Sequence, residues 1–133
     1  MATYMTNAVN TSPIISQKAG EACQDIRGLA VKFDDNGKVV PAKVAGEAVL
    51  GIAIITAGDT EGGVKADENV DIQIFGTGLA KAGAAIKAGD NLAADATGKL
   101  VPATDGQFVI GTALKAAGAG AMVNFLMWRA FAK

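Results

Sequence analysis

Thirteen carboxylates, one thiol and no histidine make up the reactive inventory of this 133-residue chain. Without imidazole, one chain cannot activate a Ser or Cys nucleophile through His, use His as a general base, or bind a metal through His. Cys23 alone forms neither a cysteine-based zinc site nor an internal disulfide, and it reads as a small buried hydrophobe. The pairs Asp34/Asp35, Asp67/Glu68 and Asp90/Asp95 could in principle share a proton or hold a cation. All fall in segments that read as turns, where Asp is favoured for local hydrogen bonding. Lys32 to Lys43 places Asp34, Asn36 and Gly37 as a calcium loop would, but Lys stands where the first Asp and the last Glu belong. Gly58 to Val64 has Val where a phosphate-binding loop needs Lys, and Gly76 and Gly78 lack the third glycine of a dinucleotide fingerprint. The expectation is no catalytic residue, no cofactor and no metal.

The elements that hold these residues are short and rich in small side chains. Gly at 17 and Ala at 27 are far above ordinary usage, and aromatics make up only 5%. Each Gly costs about 1 kcal/mol inside a helix, so glycine scattered without a period favours turns and strands. Leu79 to Ala88 and Ala113 to Ala121 have helical propensity, but Gly83, Gly89, Gly118 and Gly120 limit each to a single turn. A chain of this length fits one domain. Its 12 basic and 13 acidic residues are dispersed, and its only arginines are Arg27 and Arg129, so no nucleic-acid footprint is expected. No basic residue precedes Lys18, and Asn124 and Arg129 interrupt the most apolar stretch. These features predict neither a secretory signal nor a membrane span, hence a soluble protein made in the cytoplasm.

An internal repeat sets the architecture. Asp34 to Ala42 reads DDNGKVVPA and Asp95 to Ala103 reads DATGKLVPA; Val49 to Ile54 (VLGIAI) then returns as Val109 to Leu114 (VIGTAL). The halves are expected at about 26–75 and 86–127. Within each, a hairpin is marked by Asn36-Gly37 or Thr97-Gly98, whose positive φ suits a tight turn. Pro41 and Pro102, lacking an N–H, belong at strand ends or on an edge. A shorter echo, Val64 to Ile72 against Ile86 to Ala94, reads as a turn entering a strand. Val70, Ile72 and Ile74 should face inward, and Asp71 and Gln73 outward. The fold class is mainly β: a compact barrel or sandwich of two similar halves, with an extended N-terminal arm and at most short helical turns. The arm is expected at 1–20 and a single β domain at 21–133.

Val123 to Trp128 is apolar on both faces beyond Asn124. It therefore needs burial on both sides or a partner subunit. Trp128 and Phe131 read either as core or as a contact, and Arg129 beside them matches the composition of interface centres.

The pattern Gly28-Leu29-Ala30-Val31, DDNGKVVPA, VLGIAI, AAIKAGDNLAADATGKLVPA, VIGTAL and a closing apolar strand resembles the phage capsid cement (head decoration) proteins, over roughly Ile14 to Met127. The resemblance implies a structural protein on the outer surface of the mature head, partnered by the major capsid protein. It also implies self-association, with a trimer preferred over a dimer. On that basis Tyr4, Met5, Thr6 and Ile14 are the candidate capsid contacts, and Trp128, Arg129 and Phe131 the candidate oligomer interface. Deleting residues 1–12 is expected to abolish binding to heads without unfolding the domain. The rival readings are a receptor- or glycan-binding β-module on a virion, and a small ligand-binding barrel or enzyme.

Overall fold

The computed structural model describes residues 12–56 and 63–131. Among them no helix occurs, and ten strands form two antiparallel five-stranded sheets. The first half contains β1 (Ile14–Lys18), β2 (Ala30–Phe33), β3 (Val39–Pro41), β4 (Gly51–Thr56) and β5 (Asn69–Gln73). The second contains β6 (Gly76–Lys81), β7 (Asn91–Ala94), β8 (Leu100–Pro102), β9 (Phe108–Ala113) and β10 (Met122–Phe131). The strand orders β1-β5-β4-β2-β3 and β6-β10-β9-β7-β8 are the same order twice, so the two halves share one topology. Ile14–Lys18, from the segment expected as an arm, is the edge strand of the first sheet, and its end Lys18-Ala19-Gly20 corresponds to Lys81-Ala82-Gly83.

Matching chemistry builds the two hairpins. Oδ1 of Asp34 accepts the N–H groups of Asn36 (2.8 Å) and Lys38 (3.0 Å), and Oδ1 of Asp95 accepts those of Thr97 (2.8 Å) and Lys99 (3.0 Å). Gly37 takes a positive φ but Asn36 does not, which corrects the simple two-residue Asn-Gly turn. The carboxylate satisfies the turn's amides, so only one left-handed residue is needed. Pro41 and Pro102 end the edge strands β3 and β8. At each place the ladder N–H would point away from the sheet, so proline removes nothing that the sheet uses.

Each sheet's two edge strands meet at a single parallel bridge, Ala19 to Val39 and Ala82 to Leu100. Single bridges leave the sheets open. The arrangement fits a β sandwich of two similar halves and is not closed into a barrel. One core cluster, with Ile26, Val31, Val39, Val70 and Ile72, lies wholly in the first half. The larger one combines Leu92, Leu100, Ile110, Val123 and Phe125 of the second half with Ala30, Ala42, Val49 and Ile52 of the first. Full burial of a side chain such as Ile52 contributes about 1.5–3 kcal/mol. Backbone bonds cross between the halves as well: Ala30 N–H donates to Gly98 O (2.7 Å), Lys81 N–H to Gly28 O (2.8 Å) and Gly46 N–H to Ala94 O (2.8 Å).

Candidate functional site

Among the carboxylates singled out by the sequence, Asp34, Glu68, Asp90 and Asp95 accept amides of their own loops. Asp90 Oδ2 accepts Lys87 N–H, Glu68 Oε1 accepts Lys65 N–H, and Asp67 pairs with Lys38. Among the described residues no group of three His, Cys, Asp or Glu side chains could hold a metal ion. Cys23 is half-buried against the first core and bridges to Val64 through its backbone.

What the sheets do present is apolar surface. Along β10, Val123, Phe125 and Met127 point into the core, while Met122 (47% exposed), Leu126 (43%) and Trp128 (40%) point to solvent. The two-faced apolar strand is thus buried on one side only, and its other face is open. On the neighbouring β6, Leu79 (51% exposed) lies opposite Asn124, and Thr77 lies opposite Leu126. Trp128 is held in place: its Nε1–H donates to Thr112 Oγ1 on β9, and the Thr112 hydroxyl donates to Asn91 Oδ1 at 3.2 Å on β7. An aromatic ring fixed in this way loses little freedom when a partner covers it.

The apolar surface continues into the cleft between the halves. There two hollows of about 430 and 330 Å³ share Ile54. Pro13, Ile14, Gln73, Phe75, Gly76 and Thr77 line the first; Arg27, Gly28, Ala53, Gly78, Leu79 and Met122 line the second. At the rim, Asp25 pairs with its neighbour Arg27 (3.0 Å) and, across the two halves, with Lys81 (3.2 Å). The Arg27 guanidinium, and then Lys81, hold the Asp25 carboxyl below its ordinary value of 3.8 against the opposing effect of burial.

Of the residues singled out from sequence, Trp128 lies on the exposed face of β10, Arg129 is exposed beside it, and Ile14 lies in the first hollow. The structure does not bring Ile14 and Trp128 into one cluster. Tyr4, Met5 and Thr6, and the side chain of Phe131, lie outside the described residues. Sequence reasoning missed Leu79, Met122 and Ile54. The apolar run on β10 signalled an exposed partner face but not which side of the strand carries it, and Ile54 has no signal beyond its place in the repeat.

A two-halved β body in which Asp34, Glu47, Glu68, Asp90 and Asp95 accept amides of their own loops, and whose exposed strand face is apolar, has the form of a structural module with a surface left to cover. Residues 57–127, just over half of the chain, match the model of the phage cement protein family, and the chain belongs to that family. It is therefore a structural protein of the phage head, located on the virion capsid. Among solved structures it is similar to the head fiber gp8.5 N base of bacteriophage phi29, with a TM-score of 0.64 and 22% identity, over 86% of this chain and 92% of that one. At that identity the likeness concerns the fold alone. No curated protein matches the chain significantly.

Proposed function

We propose that this protein binds the outer surface of the expanded head and stabilises it by bridging neighbouring capsid subunits, as a homo-oligomer and preferably a trimer. The observation that carries this reading is the open apolar face of Leu79, Met122, Leu126 and Trp128 on the β6–β10 sheet. Aromatic and Met side chains on such a face are the composition of interface centres. A symmetric oligomer placed over the junction between capsomers engages several subunits at once, so each contact raises the effective concentration of the next. Because only the expanded shell offers the composite surface, binding favours that shell by RT ln(1 + [L]/Kd), about 2.7 kcal/mol per site at a hundredfold excess over Kd.

The test is addition of the purified protein to expanded heads lacking it, followed by cryo-electron microscopy and thermal disruption. The expected result is density over subunit junctions and a higher disruption temperature. Leu126→Ser and Trp128→Ser should weaken self-association, or binding to heads, at least tenfold while the monomer remains folded. Saturation of a single capsid subunit without any gain in head stability would overturn the bridging reading.

A further inference from the structure

The two hairpin turns of the repeat differ in what holds them. In the second half Gly98 is buried against the first half: its O accepts the Ala30 N–H at 2.7 Å, and a Cβ placed on it would stand 3.0 Å from Ala30 O. In the first half Gly37 is exposed, and a Cβ there would meet open space. The Gly37 N–H donates to Asp34 O at 3.2 Å, at the long end of the hydrogen-bond range. Asn36 is exposed as well, and its side-chain amide has no partner among the described residues. The turn that is free to open therefore carries an amide next to a glycine, and the turn locked between the halves carries Thr97 in that place. An exposed tip with few contacts opens locally at little cost.

We propose that Asn36 is a site of spontaneous covalent modification, at which the folded protein converts the side-chain amide to aspartate and isoaspartate. The Gly37 nitrogen attacks Asn36 Cγ. The N–Cγ bond forms, the Cγ–Nδ2 bond breaks, and the proton of the Gly37 N–H leaves with Nδ2 as ammonia. Water then opens the cyclic imide at either carbonyl: one opening restores the chain with aspartate, and the other routes it through Cγ as isoaspartate. Glycine admits this ring because it puts no side chain beside the attacking nitrogen. No other asparagine of the chain has that neighbour. Asn69, Asn91 and Asn124 lie in strands before the fully buried Val70, Leu92 and Phe125, whose backbones are held in the ladders; Asn7 and Asn10 precede Ala8 and Thr11. Asp105-Gly106 can close the same ring, but it releases water in place of ammonia and returns to an acid of unchanged mass. The isoaspartate product bears on the fold. Asp34 Oδ1 holds the amides of Asn36 (2.8 Å) and Lys38 (3.0 Å), which lie on either side of the altered link, so one further main-chain atom between them pulls the two bonds apart. The β2–β3 hairpin, at the edge of its sheet, is then released at its tip. The reaction needs no partner and is independent of what the protein binds.

The test is incubation of the folded full chain at mildly alkaline pH in heavy-oxygen water, followed by tryptic peptide mass spectrometry. Cleavage after Lys32 and Lys38 isolates Asn36 in the peptide FDDNGK. The expected result is an amide-to-acid mass change with heavy oxygen incorporated in this peptide, at least tenfold faster than in any peptide bearing another asparagine. Asn36→Thr, which copies the second-half turn, should abolish the change and leave thermal unfolding as in the parent. The isoaspartate form, separated by chromatography, should exchange its Lys38 amide hydrogen at least tenfold faster than the parent. A folded chain that keeps its amide, whether or not the urea-unfolded chain loses it, overturns the proposal, as does conversion spread evenly over the asparagines. Equal exchange at Lys38 overturns the release of the hairpin.

Discussion

Glu47 and Gln107 occupy the same place in the two halves and show what a single charge adds. Each side chain folds back on its own loop: Glu47 Oε2 accepts the N–H groups of Lys43 (2.7 Å) and Val44 (2.8 Å), and Gln107 Oε1 accepts that of Thr104 (2.8 Å). Glu47 also pairs with Lys32 at 2.9 Å. Burial resists its ionisation, but Lys32 and the two amides prevail, and the carboxyl titrates below its ordinary 4.5. A depressed carboxyl contributes stability that is present above pH 4.5 and lost as pH falls through the folded value. Glu47→Gln should therefore keep the loop bonds at a cost under about 1 kcal/mol near neutral pH. Its deficit against the parent should vanish on acidification. Glu47→Ala, which leaves the amides without their acceptor, should cost about 1–2 kcal/mol. Urea unfolding at pH 7 and pH 3 checks both, and a Glu47→Gln deficit independent of pH would refute the assignment.

At the scale of strands, the repeat placed glycine where two strands come too close for a side chain. A Cβ on Gly51 would collide with the Gln73 carbonyl, and one on Gly111 with the Leu126 carbonyl, so backbone would have to move. Overpacking of this kind costs about 1–3 kcal/mol, and Gly51→Ala and Gly111→Ala should each lose that much in thermal unfolding. Gly118→Ala, facing open space, should stay within about 0.5 kcal/mol of the parent. These glycines also show how much the sequence discloses. VLGIAI and VIGTAL were legible as equivalent strands, DDNGKVVPA and DATGKLVPA as equivalent hairpins, and Val70 and Ile72 as inward-facing, because turn chemistry and period-two alternation act locally. The role of β6 was not legible: Gly76–Lys81 is Gly-rich and short, and it becomes a strand through pairing with β10, some 45 residues away. For the same reason the exposed face was only half visible, since no local rule tells which side of Met122–Phe131 the remaining strands will cover.

For the whole molecule, the decisive fact is that the larger core belongs to both halves. Ala30, Ala42, Val49 and Ile52 fill space among second-half residues, and the half-exposed Asp25–Lys81 pair adds only about 1 kcal/mol. A fragment of residues 74–133 would expose that shared surface. It is expected to lack the dispersed amide spectrum of the intact chain, and a well-dispersed spectrum would show instead that the halves are independent domains. The strand order adds a constraint in time. Within each half the last strand made lies between the first and the fourth, so neither sheet can be completed until its final strand has left the ribosome. Pairings between ends so far apart in sequence form slowly. The nascent chain must therefore keep β1 and β4 available until β5 emerges, and a translational pause placed once β5 has cleared the ribosome would give the first half time to close before the second half is complete.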